Sequence, residues 1–255
     1  MITIYLYAVS EEEKTKISSI HKYAKKYLMD WFPNCPSYVA FNTRLNRIAN
    51  IFPFLLVCLL QDIPKKGVNF DISVLDSMPI ITCSGKRQGK VARNLTNKGY
   101  CATKSLFFFG VKLHGIGFRR KGELPLPEFL KLTPASENDL NALRPTLMSI
   151  INRIFFADKA HINSDLDDIL AANNSRILTP VKQKKGESKE LRQFNKAADN
   201  LYSTAVSTIR QPIEGFFSWL VEKTDIQRAS KVRFENGLIL HVFGKIAAAL
   251  VSWIF

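Results

Sequence analysis

The chain has 255 residues, enough to bury one large core or two smaller ones. Hydrophobic residues make up 46%, which excludes a disordered chain, and the formal net charge of +14 points to a polyanionic partner. Cys35, Cys58, Cys83 and Cys101 are too widely spaced for a zinc knuckle or a CxxC redox motif, and without a secretory signal they are expected to be reduced cytosolic thiols.

Residues 1 to about 65 read as helical. Between Glu11 and Trp31, Ile17, Ile20, Tyr23, Ala24, Tyr27 and Leu28 form an apolar stripe at helical spacing. Pro33 and Pro36 end it, and a second helix is expected from about Val39 to Ile48. Two helices joined by a short turn fit a small DNA-binding module and a plain helical lid equally well. Ile51 to Leu60 is apolar but too short to span a bilayer.

From Phe70 the character changes to β. A strand is predicted over Asp71 to Ile81, and Leu106 to Phe118 is the most strand-like stretch in the chain. Gly110 predicts a bulge or bend there, while Gly115 and Gly117 weaken its far end. A further strand is expected over Leu130 to Pro134, then a helix from Glu137 to about Ile150 capped by Ser136 or Thr133. Next come a short apolar strand ending at Asp158, a helix near Ser164 to Ala172 and a strand from Arg176 to Pro180.

A charged stretch, Val181 to Arg192, leads into a long helical region ending at Lys223, where Pro212 must either start the helix or kink it. Leu238 to Phe255 is long and apolar, but His241 and Lys245 interrupt it, so a final core helix is expected rather than a membrane anchor. This order predicts an α/β fold, a mixed sheet flanked by helices, with a small helical amino-terminal region over residues 1–65 ahead of a main domain over 66–255.

The charges are unevenly placed. The 46 residues from Ser77 to Gly122 hold ten Lys or Arg and no Asp or Glu: Lys86, Arg87, Lys90, Arg93, Lys98, Lys104, Lys112, Arg119, Arg120 and Lys121. A phosphate backbone is the natural counterpart, because each neutralised phosphate releases counterions. His114 ends a strand pattern beside this run, where a structural histidine is the commoner outcome.

Three acids stand out against this background. Asp76 lies in the strand-like run, Asp158 ends Arg153-Ile154-Phe155-Phe156-Ala157-Asp158, and Glu214 follows Arg210 by four residues in a helix. Two strand-end aspartates and one helical glutamate are the parts of a two-metal phosphoryl-transfer site. Ile213, Phe216, Phe217, Leu220 and Val221 form the buried stripe of that helix, which puts Glu214 and Arg210 along its edge. Arg210 there either pairs with Glu214 or faces a phosphate. No HExxH, GxxxxGK[ST] or GxSxG motif competes with this reading.

The motifs Asp76-Ser77-Met78-Pro79-Ile80, Asn97-Lys98-Gly99-Tyr100, Gly110-Val111-Lys112-Leu113-His114, Thr133-Pro134-Ala135-Ser136-Glu137-Asn138-Asp139 and Phe156-Ala157-Asp158-Lys159 occur in order. With Arg210-x-x-x-Glu214 they resemble the DDE transposases of bacterial insertion sequences. The resemblance implies a ribonuclease-H-like catalytic domain and magnesium- or manganese-dependent DNA strand transfer with two ions. By motif position the catalytic and metal-holding acids are Asp76, Asp158 and Glu214. DNA contacts are expected from Arg210, Lys86, Arg87, Lys90, Arg93, Lys98, Lys112, His114 and Lys159.

The implied partners are double-stranded DNA, namely the terminal inverted repeats and the target, and a second copy of the chain on that DNA, with no membrane. The implied location is the bacterial cytoplasm at the nucleoid. Many related transposases carry Tyr three residues before the Arg and Lys seven after the Glu; here Ser207 and Val221 stand there, with Lys223 two residues on. Relatives commonly have a longer amino-terminal region, so a shortened copy is expected. A copy reduced to DNA binding and a non-transposing nuclease are the alternatives.

Overall fold

Alternation along one long strand decides both faces of the sheet. In a computed structural model describing residues 1–86, 91–101, 104–161, 164–182 and 188–254, β1 runs from Val68 to Ser84. Its side chains point alternately to opposite faces. Val74, Met78 and Ile80 enter a core with Phe156 and with Ile213, Phe216 and Leu220 of α7 (Lys189–Thr224). Leu75 enters the opposite core with Ile116, Phe155, Leu143 of α5 (Asp139–Leu147) and Leu166 of α6 (Ser164–Ala172).

The other strands are β2 (Asn97–Cys101), β3 (Leu106–Arg120), β4 (Leu126–Pro134), β5 (Ile154–Phe156) and β6 (Arg176–Leu178). Their order is β2-β3-β1-β5-β6, and β4 pairs with β3 beyond β2, along the edge turned away from β1. β1 is antiparallel to β3 and parallel to β5, which is parallel to β6, so the sheet is mixed and flanked by helices as expected.

Several expectations need correction. Asp76 is not at a strand end, because β1 continues to Ser84 under pairing with β3. The irregularity predicted at Gly110 falls on the strand opposite: Ile81 pairs with Gly110 and Cys83 with Phe109, leaving Thr82 extra. Gly110 permits that approach, since a Cβ there would collide with the carbonyl oxygen of Ile80. β3 runs past Gly115 and Gly117 to Arg120.

The helix predicted from Glu137 starts at Asp139. Its cap is Asn138, whose side chain accepts from the backbone N–H groups of Leu140 and Asn141 at 2.9 and 3.4 Å. Ser136 and Thr133 are engaged elsewhere, with Asn97 and His114. Pro212 neither starts nor ends α7, which continues through it.

The amino-terminal helices are α1 (Ile2–Ser10), α2 (Ile17–Tyr27), α3 (Tyr38–Arg47) and α4 (Ile51–Asp62). The stripe from Glu11 yields a shorter helix than expected, beginning at Ile17. Their shared core contains Ile4, Phe41, Leu45 and Phe52 together with Leu240, Ala247 and Ala248 from the far end of the chain. Those residues belong to a run made of α8 (Glu235–Ile239), a π-helical turn at Leu240–Gly244 and α9 (Lys245–Ile254). The run is long and apolar enough to cross a membrane, yet Ile246 to Leu250 are buried in the fold, as expected of a core helix.

Lys245 is 3% exposed, and its ammonium lies 3.2 Å from the carbonyl oxygen of Asp225. Burial holds its pKa down to about 8, below the ordinary 10.5. A group depressed on folding adds stability above its unfolded pKa and loses it as pH falls through the folded value. At neutral pH the fold therefore carries this charge at a cost. Lys245→Met is expected to raise stability by about 2 kcal/mol in urea melts at pH 7. The gain should shrink as pH is raised toward 10.5.

Candidate active site

Register brings two of the three acids together. Val74 pairs with Phe156 on the parallel strands β1 and β5. Two residues further along β1 comes Asp76, on the same face as Val74 by the period-2 alternation of a strand, and Asp158 stands two residues past Phe156, just beyond the end of β5. That is the face covered by α7. The third acid arrives from α7 itself, where Ile213, Phe216, Phe217 and Leu220 anchor the helix to the sheet and leave Glu214 at the border, half exposed.

Arg210 ties the set together. Its guanidinium donates to Asp76 Oδ2 at 3.0 Å and to Glu214 Oε1. One planar fork thus bridges two of the acids, which places both carboxylates within a single guanidinium's reach. The other oxygen of Asp76, Oδ1, accepts from the N–H of Ser77 at 2.8 Å. Arg210 Nε is buried and has no hydrogen-bond partner among the described residues.

The two aspartates are electrostatically unlike. Burial pushes the Asp76 carboxyl up to about 6, opposed by Arg210 and the Ser77 N–H and reinforced by the charges of Asp158 and Glu214. Asp158 is held below the ordinary carboxylate value, first by the hydrogen bond from His161 and against the opposing effect of burial. The N–H of Ala160 and the field of Arg210 act in the same downward direction.

His161 is a residue the sequence reading overlooked. It closes the short 3-10 turn Lys159–His161, is 2% exposed, and places Nδ1 2.8 Å from Asp158 Oδ1. The N–H of Ala160 reaches the same oxygen at 2.9 Å. Both bonds fall on Oδ1, and Asp158 Oδ2 has no hydrogen bond among the described residues. His161 Nε2 is buried and has no hydrogen-bond partner among the described residues. In sequence the histidines were weighed against metal-binding patterns such as HExxH, whereas the signal was the local one, a histidine three residues after a carboxylate.

The donor set suits a hard divalent cation: the buried Asp76 and the half-exposed Glu214 share one guanidinium, and Asp158 is near enough for its charge to raise the Asp76 carboxyl. As the side chains stand, no group of three His, Cys, Asp or Glu among the described residues is arranged to hold a metal. Arg210 engages one oxygen each of Asp76 and Glu214 that a cation would take. Beside Glu214, an open cleft of about 800 Å³ runs along α7 past Gln211, Gly215 and Ser218 to Arg120 and Trp253.

The predicted phosphate contacts fare unevenly. Lys86, Arg93, Lys98 and Lys159 are exposed. Lys98 also stacks over the ring of Phe107. Lys112 is turned inward, donating to the Glu137 carbonyl at 2.9 Å and to Asp139 at 3.0 Å. His114 is a correction: it is fully buried, bonded to Thr133 at 2.7 Å, and cannot meet a phosphate from there. Burial, with Lys112, Lys131 and His161 nearby, pushes its pKa down to about 4, against the pull of Asp139. Arg87 and Lys90 lie outside the described residues.

A family model described as "Transposase DDE domain" matches residues 66–209, more than half of the chain. The match takes in Asp76 and Asp158 and stops just short of Arg210 and Glu214. No curated protein and no solved structure matches the chain.

Proposed function

The chain belongs to the transposase DDE-domain family, and on that premise we propose that it is a DNA transposase that cuts at the ends of an insertion sequence and joins the freed strand to target DNA. The reading is supported by the Arg210 bridge between Asp76 and Glu214 and by Asp158 lying close enough to act on the Asp76 carboxyl. DDE transposase domains generally use divalent metal ions. Here Asp76, Asp158 and Glu214 would hold two ions of magnesium or manganese, which supply Lewis-acid stabilisation of the phosphoryl charge.

The chain's own groups do the rest. Asp158 presents its carboxylate in one orientation because His161 and the Ala160 N–H fix Oδ1. Arg210 neutralises the acids before loading and is released toward a DNA phosphate once they are otherwise engaged. Lys86, Arg93, Lys98 and Lys159 steer and grip the backbone of the terminal repeats and the target. The mixed sheet, with one acid inside β1, a second just past the end of the parallel neighbour β5 and a glutamate from a packed helix, supports a ribonuclease-H-like reading of the fold. The division near residue 65 belongs to the same proposal, since the family match begins at residue 66, as does action of two copies on one DNA in the cytoplasm.

The test is a plasmid carrying the element's ends, incubated with protein and Mg2+ or Mn2+. Cut and joined products are expected; cutting without joining would indicate a nuclease, and binding without either a DNA-coating protein. The role given to His161 has its own check. His161→Asn keeps a donor where Nδ1 stands and should hold Mn2+ within about twofold of the parent affinity by calorimetry. His161→Leu should weaken it about tenfold.

A further inference from the structure

A second basic site lies in the loop region that follows β1. Here α3, the segment after residue 91 and the start of α8 enclose an open cleft of about 690 Å³. Three separated segments each supply an exposed arginine to it, Arg47, Arg93 and Arg233. None of the three forms an ion pair with a carboxylate among the described residues. The only acid in the lining, Glu235, accepts a hydrogen bond from Asn94 at 2.5 Å. Beside Arg233 stands Phe234, which is 76% exposed.

Each feature narrows the ligand. Three guanidiniums without carboxylate partners call for a polyanion whose charges are spaced along a chain. An aromatic ring left in water next to them is a surface for a flat, apolar face. In a duplex the faces of the bases are covered by their neighbours, so only an unpaired base can lie on that ring. The amides of Asn46 and Asn94 line the same cleft and can meet base edges or sugar oxygens.

We propose that this cleft binds an unpaired segment of DNA, with phosphates on Arg47, Arg93 and Arg233 and a base stacked on Phe234. The inference rests on the transposase reading, under which cut ends expose unpaired nucleotides. It adds Arg47, Arg233 and Phe234 to the DNA-contacting residues, none of them in the basic run read from the sequence.

The experiment is fluorescence anisotropy on the full chain, using a labelled single-stranded DNA oligonucleotide, its duplex and an RNA of the same sequence. Phe234→Ala should weaken single-strand binding about tenfold and leave duplex binding within about twofold, and Phe234→Trp should restore it. Arg47→Ala with Arg233→Ala should flatten the salt dependence of single-strand binding by about 1.4 in log–log slope. Thermal melts of each variant establish that it is folded.

Equal losses on both DNAs, no loss in Phe234→Ala, or tighter binding to RNA would each overturn the assignment. If the parent chain joins DNA ends yet Phe234→Ala is silent, only this cleft falls. If the parent binds no DNA at all, the transposase reading falls with it.

Discussion

Replacing either aspartate by asparagine is expected to lower metal-dependent strand cutting by about a thousandfold or more while DNA binding stays within about threefold. Loss of one anionic oxygen at a site built to hold cations removes several kcal/mol of transition-state stabilisation. Under the proposed function the contacts to the phosphate backbone come from Lys86, Arg93, Lys98 and Lys159. A gel assay of nicking with anisotropy on the same samples measures both, and retained cutting in Asp158→Asn would rule out the assignment.

The two variants should part company in stability. The Asp76 carboxyl is raised to about 6 by burial, so whatever stability it lends is present below its ordinary 3.8 and is lost as pH rises through about 6. Asp76→Asn therefore relieves a cost at pH 8 and should raise the metal-free melting temperature by about 2–4 °C. Asp158 is shifted the other way, chiefly by His161, and its contribution is present above 3.8. Asp158→Asn should lower the melting temperature, so equal damage to activity would come with opposite shifts in stability.

Arg210→Ala is the second large effect. It strips the cation from Asp76 and Glu214, leaving carboxylates facing one another in a partly dry site. Breaking a buried pair by removing one partner costs about 3 kcal/mol, less here because Glu214 is half exposed. Metal-free protein should thus melt earlier, and saturating Mn2+ should recover most of the loss by mass action.

At pH 8, above the value of about 6 that Asp76 holds beside Arg210, competition between Arg210 and the cation decides the affinity. Mn2+ should bind about tenfold tighter to Arg210→Ala, since about 1.4 kcal/mol of ion pairing no longer has to be broken. Below pH 6 the sign should reverse, because loss of Arg210 lets the Asp76 carboxyl rise further and protons compete better. Calorimetry at the two pH values reads both, and unchanged affinity at pH 8 would show that Arg210 does not contest the cation.

Much of the fold was legible because local patterns agreed with the tertiary outcome. A helix expected near Ser164 to Ala172 is α6, and the stripe of α7 around Ile213 and Phe217 put Glu214 at the border of the core, where it is half exposed. The misses are places where a distant partner overruled a local signal. Ser136 is a good cap by type, but its hydroxyl faces Asn97, and Asn138 takes the helix start instead. The i,i+4 pairing of Arg210 with Glu214 could be foreseen, whereas its bond to Asp76 spans 134 positions and is set only by packing. Lys112 and His114 looked like phosphate contacts because the run around them is basic. Strand alternation and the approach of Asp139 turn them inward.

The shared packing at Leu240, Ala247 and Ala248 has a bearing on how the molecule comes into being. Helices that leave the ribosome first cannot finish burying Phe41 and Phe52 until α9, made long after them, arrives to close their interior. Half-made chains would hold greasy, unfinished helices in need of a chaperone, and assembly would be a late, concerted event. The fold would then close only once α9 itself has left the ribosome.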